Sequence, residues 1–95
     1  MNDLGPTPRR VVGANASRTG ISFHNPALGT IVVFPERVLI NGKSVLLTPS
    51  LTALGGGFVL PYGGTLFIGE PTAQQAWQAL ALAGSANPLT IQEQT

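Results

Sequence analysis

Turn residues divide this chain at short intervals. Twelve glycines and eight prolines stand among 95 residues, spread as punctuation rather than gathered in one low-complexity tract. Glycine supplies the positive φ of tight turns, and proline cannot donate to a helix or to a central strand. Turn residues recurring in this way mark a chain of many short strands joined by turns.

The segments between the breaks agree. Arg18 to His24 (R-T-G-I-S-F-H) alternates, with Ile21 and Phe23 on one face and Ser22 and His24 on the other. That period of two is the signature of a half-buried strand. Arg9 to Ala14 is an earlier short strand around Val11 and Val12. Asn25 to Gly29 is a turn by composition. Thr30 to Phe34 (T-I-V-V-F) is β-branched and aromatic, and Pro35 ends it. Val38 to Thr48 reads as a hairpin around Asn41-Gly42, the dipeptide best suited to the two positive-φ positions of a type I′ turn. Residues 49–57 are loop, with glycines at 55–57. Phe58 to Leu60 and Thr65 to Gly69 are strands flanking the turn Pro61-Tyr62-Gly63-Gly64. Gly84 to Pro88 is a turn, and Leu89 to Glu93 is a closing strand.

Residues 71–83 support two readings. Ala73, Ala76, Trp77, Leu80 and Ala81 recur at helical spacing, and Pro71 suits a first helical turn. Alternatively Trp77 to Leu82 is a strand, with Trp77, Ala79 and Ala81 on one face and Gln78, Leu80 and Leu82 on the other. Residues 1–8 carry Pro6 and Pro8 and no alternation, and they read as an extended arm. The expected organisation is that arm followed by one domain over 9–95. The fold class is all-β: a small antiparallel β-sandwich, jelly-roll-like, with at most one short helical turn near 71–76.

Charge narrows the function. Only 9% of the chain is Asp, Glu, Lys or Arg, where about 25% is usual. So few charges cannot cover a lone small domain with the mixed field that keeps monomers apart. The composition suits a surface packed against other protein. A formal charge of +1, with Arg9 and Arg10 the only adjacent pair, gives no basic patch for nucleic acid. No basic stretch followed by an apolar one opens the chain, and no apolar run reaches the ~18 residues of a membrane span. The absence of cysteine excludes disulfides and thiolate metal sites.

The residues that carry chemistry elsewhere are sparse. His24, the one histidine, lies beside a turn on a polar strand face and reads as a surface histidine. Asp3, Glu36, Glu70 and Glu93 are scattered and read as solvated or salt-bridged. With His24 they make no evident metal set, and no catalytic or cofactor-binding residue is assigned. The glycine runs lack the lysine and helix of a phosphate loop. Trp77 belongs to a period-consistent apolar set and reads as a core or interface aromatic, although a lone Trp can also stack on a sugar.

The run N-A-S-R-T-G-I-S-F-H-N-P (15–26), the strand I-V-V-F (31–34), the hairpin phrase F-V-L-P-Y-G-G-T-L-F-I (58–68) and the close W-Q-A-L-A-L-A-G-S-A-N-P-L-T-I (77–91) follow one another in a familiar order. Together they resemble small β-sandwich virion proteins of tailed bacteriophages. The resemblance spans about 80 residues and is one of strand and turn grammar. It implies a strand at 77–82, whereas Gly69 to Ala76 departs from the pattern, being longer and more helical, and reads as a short helical turn at 71–76 leading into that strand. It also implies that Arg18 begins its strand, where its planar fork of donors either clamps loop carbonyls or lies in solvent.

The expected protein is a head decoration (cement) protein, made in the host cytoplasm and carried on the outer capsid surface of the virion. Its partners would be the major capsid protein and further copies of itself, a trimer being the most economical assembly. No nucleic acid, membrane or cofactor is expected. Fibre and tail-tip domains usually sit within longer chains, so a tail, baseplate or fibre component ranks second. A carbohydrate-binding module using Trp77 and Tyr62 is the alternative of another class. Candidate structural or interface positions are Arg18, Val33, Leu47, Tyr62 and Trp77, with Val33 and Leu47 taken as exposed apolar strand positions.

Overall fold

The computed structural model describes residues 2–50, 55, 57–70, 72–84 and 87–95. Pro71, residues 51–54 and 56 of the expected loop, and Ser85 and Ala86 of the expected turn lie outside the described residues.

Among the described residues, ten strands follow in order: β1 (Asn2–Leu4), β2 (Arg9–Val12), β3 (Gly20–His24), β4 (Ile31–Pro35), β5 (Arg37–Ile40), β6 (Lys43–Leu46), β7 (Phe58–Leu60), β8 (Thr65–Gly69), β9 (Trp77–Ala81) and β10 (Asn87–Gln94). A 3₁₀ turn, Thr72–Gln74, precedes β9. Pairing is antiparallel and nested: β1 with β10, β2 with β9, β3 with β8, β4 with β7, and β5 with β6. The chain is thus one long ribbon folded back on itself, with Asn41-Gly42 at its tip. Further pairing of β3 with β10 and of β4 with β9 rolls the ribbon into two four-stranded sheets, ordered β1-β10-β3-β8 and β2-β9-β4-β7. This is the connectivity of a jelly roll.

The alternation read from the sequence sets the core. Ile21 and Phe23 of β3, Leu89 of β10, Ile31 and Val33 of β4, and Trp77, Ala79 and Ala81 of β9 are buried together between the sheets. Phe23 and Trp77 meet with ring centroids 5.1 Å apart at 53°, an inclined geometry that suits two aromatic quadrupoles. Strand β4 is buried along its whole length. Its other face, Val32 and Phe34, joins Leu80 in a second apolar cluster, against which Leu47 packs. Gly57 crosses this outer face so closely that a Cβ there would lie 2.5 Å from a Phe34 ring carbon.

Two expectations about the chain's course change. Residues 1–8 were expected to be an arm outside the domain, but Asn2–Leu4 pair with β10, and Leu4 is a buried core residue. The three-residue strand is too short to show alternation, and its partner is distant in sequence. Correspondingly, β10 begins at Asn87, two residues earlier than the closing strand expected at Leu89, because Asn87 and Pro88 face Leu4 and Asp3. In the region of two readings, burial decides. Trp77, Ala79 and Ala81 face the main core and Leu80 the outer cluster, so tertiary packing overrides the helix propensity of Ala, Gln and Leu.

Candidate functional site

The β5–β6 hairpin departs from the sandwich immediately after β4. Asn41 has φ 53° and Gly42 φ 77°, the two positive values of the expected tight turn. Several bonds hold its base. The Glu36 N–H donates to Ala76 O (2.9 Å), and the Leu47 N–H donates to Glu36 O (2.9 Å). The Arg37 N–H donates to Gln75 Oε1 (2.7 Å) and Gln78 Nε2 to Leu47 O (3.2 Å). An exposed Arg10–Glu36 ion pair at 2.5 Å lies beside them.

Beyond that base the hairpin forms a two-stranded sheet of its own. Register places Arg37 opposite Leu46 and Leu39 opposite Ser44 on one face, with Val38 opposite Val45 and Ile40 opposite Lys43 on the other. Both faces are therefore partly apolar. Leu39 is 76% exposed, Ile40 52%, Leu46 50% and Val45 37%. A groove of about 460 Å³ runs between the hairpin and the sandwich, lined by Pro35, Arg37, Leu39, Phe58, Thr72 and Gln75 among others. Its walls offer apolar contact, amide and hydroxyl groups, and one guanidinium. Such a site binds by shape and desolvation.

The five expected site residues separate. Val33, taken as an exposed position, is fully buried between the sheets. The run I-V-V-F has no polar residue to mark an outward face, because β4 is covered on both sides. Leu47 is half-buried at the hairpin base, against Val32, Phe34 and Leu80. Tyr62 stands exposed in the β7–β8 turn. Trp77 is fully buried and cannot stack on a sugar, which removes the main aromatic of the carbohydrate-binding alternative. Its indole Nε1 is buried without a hydrogen-bond partner.

Arg18 is also interior, at 1% exposure. Its Nε and Nη2 both donate to Glu93 Oε1 (2.8 and 2.5 Å). Nη1 donates to Ala73 O (2.6 Å) and Gln75 O (3.1 Å), and Nη2 also to Gly13 O (2.8 Å). The fork engages β10, the 3₁₀ segment and the loop after β2 at once, so of the two readings it is the carbonyl clamp. Through Gln75 it also steadies the residue whose side chain holds Arg37 at the hairpin base.

Asn25, a turn residue by composition, is a buried hub. Its Nδ2 donates to Gly29 O and Leu60 O, both at 2.8 Å, and its Oδ1 accepts from the Ala27 N–H at 2.9 Å. The Asn-Pro dipeptide signalled a turn, but nothing local showed that the side chain reaches β7. His24 Nδ1 lies 3.0 Å from Thr65 Oγ1 on the outer face of β3 and β8. Among the described residues, no three of His, Cys, Asp and Glu gather as a metal site. None of the helical segments described is long and apolar enough to cross a membrane.

Comparison with known proteins adds no relative: no family model, no curated sequence and no solved structure matches this chain.

Proposed function

We propose that this protein is a non-enzymatic structural component of a tailed-phage particle, a head decoration protein that docks on the outer capsid surface through the β5–β6 hairpin. One observation carries the reading. A two-stranded ribbon with apolar side chains on both faces is exposed to solvent, whereas an isolated two-stranded sheet is marginal in water and gains stability when its faces are covered. The low charge and the sequence resemblance to virion sandwiches point the same way. The ribbon would lie across a junction between major capsid subunits, burying Leu39, Ile40, Val45 and Leu46. Repeated over many sites, such burial would resist the outward pressure of packed DNA without any chemistry.

The test is occupancy. Purified protein is added to emptied heads of the phage that encodes it, and bound copies are counted by quantitative gel and by imaging. Hundreds of copies per head are expected. A handful, confined to one vertex or the tail, would favour the tail or fibre reading, and no binding would remove the particle reading altogether. A glycan array separates the carbohydrate alternative, which requires a signal there.

A further inference from the structure

A sheet edge presents a row of unpaired N–H and C=O groups, and proteins guard such edges with shortness, charge, proline or a bulge. Each sandwich sheet has two edges: β1 and β8 in one, β2 and β7 in the other. Strands β1 and β7 are three residues long. Strand β2 carries Arg9 and Arg10, and its register shifts between Arg10 and Val12. Strand β8, Thr65-Leu66-Phe67-Ile68-Gly69, has none of these guards: it is uncharged, free of proline, and paired in unbroken register with β3 over all five residues. Among the described residues, β3 is its only strand partner.

We infer that β8 is a self-association edge, pairing antiparallel with β8 of a second copy across a two-fold axis through Phe67. This contact is independent of the hairpin docking proposed above. The occupant follows from the strand's own symmetry. Pairing centred on Phe67 sets Leu66 opposite Ile68 of the second copy, so the core-facing side chains of both stay on one face of a continuous eight-stranded sheet. It sets Thr65 opposite Gly69, and it carries Glu70 opposite Gly64, so no carboxylate meets another. Phe67, 57% exposed, leans over β3: a Cβ on Gly20 would lie 2.7 Å from its ring. Its ring therefore leaves the outer edge clear for an incoming backbone. Val59 and Tyr62, both exposed on the adjacent β7 and turn, widen the apolar area on this side of the sandwich. A two-fold edge contact closes on itself and gives a dimer, in place of the trimer expected from economy of assembly.

The absence of cysteine makes the test direct. Sedimentation of the full chain at about 100 μM, well above a dissociation constant of about 1 μM, should show a dimer. Directly opposed residues of an antiparallel pair lie within disulfide reach, so Phe67→Cys should cross-link under mild oxidation. Thr90→Cys is exposed on the same sheet but remote from this edge, and it is the control. Cross-linking at position 67 should be faster by at least about tenfold, since dimerisation replaces a bimolecular encounter with a high effective concentration. Because Phe67→Cys removes a side chain that covers Gly20, a second pair of variants guards the result. Phe67→Lys and Phe67→Glu should each be monomeric alone and dimeric when mixed. A wild-type monomer or trimer, equal cross-linking at 67 and 90, or no association in the Lys–Glu mixture would each overturn the inference.

Discussion

Arg18 uses all five of its guanidinium donors, and three of the acceptors are backbone carbonyls. A lysine carries three donors on a point charge and cannot reproduce that fork. Arg18→Lys should therefore lower stability by about 3 kcal/mol, and Arg18→Ala by more, because buried acceptors lose their partners. Glu93→Gln should cost less, since Glu93 is 42% exposed and glutamine keeps an acceptor there. Denaturant melts of the three variants give the comparison; equal losses would mean that the carbonyl bonds contribute little. Trp77 makes the opposite case. Its buried N–H is unpaired, so Trp77→Phe gives up ring volume but no hydrogen bond. It should cost about 1–2 kcal/mol, against about 3–5 for Trp77→Ala. At this scale the sequence was partly readable. Residue type marked Arg18 and Trp77 as worth attention, but the acceptors around Arg18 come from three separate segments, and no spacing in the chain announces them.

The β5–β6 hairpin was the most readable element, since its turn, register and flanking strands are all decided within a dozen neighbouring residues. Gly42→Val should destabilise it by about 1 kcal/mol or more, through a β-branched residue forced to positive φ. Cross-strand contacts seen by NMR would show whether the tip frays. Leu39→Asp combined with Ile40→Asp should leave the melting temperature within a few degrees, because these side chains are solvent-exposed, while occupancy on emptied heads falls by about tenfold or more. A loss of folding in the double variant would show that the hairpin supports the sandwich rather than projecting from it. Strand β9 was less readable. Its residues favour helix locally, and only the burial of its inner face between the sheets and of Leu80 in the outer cluster with Leu47 selects the extended form. Strand β4 shows the same effect: burial on both sides leaves no alternation from which to tell inside from outside, and Val33 was misplaced for that reason.

For the whole molecule, the arm expectation and the observed sandwich make contrary predictions. Removing residues 1–8 from a domain that merely carried an arm would leave its stability unchanged. Here Leu4 is buried, Leu4 O accepts from Asn87 Nδ2 at 3.0 Å, and Gly5 O accepts from the Ala81 N–H at 2.8 Å. The deletion should therefore cost at least about 2 kcal/mol, the worth of one buried leucine, and lower the thermal midpoint by several degrees. Strand β1 was not legible because its partner lies 83 residues away, and sequence periodicity reports only on neighbours. The nested ribbon has one more effect, on the order of events in the cell. As the chain emerges from the ribosome, β5 and β6 are the first strands that can pair. Each outer pair waits for a later segment, and β1 stays without a partner until residue 87 has been added. The same hairpin whose apolar faces stand exposed in the finished protein is therefore the first structure the nascent chain can form, and the sandwich can close only after nearly all of its residues have been synthesised.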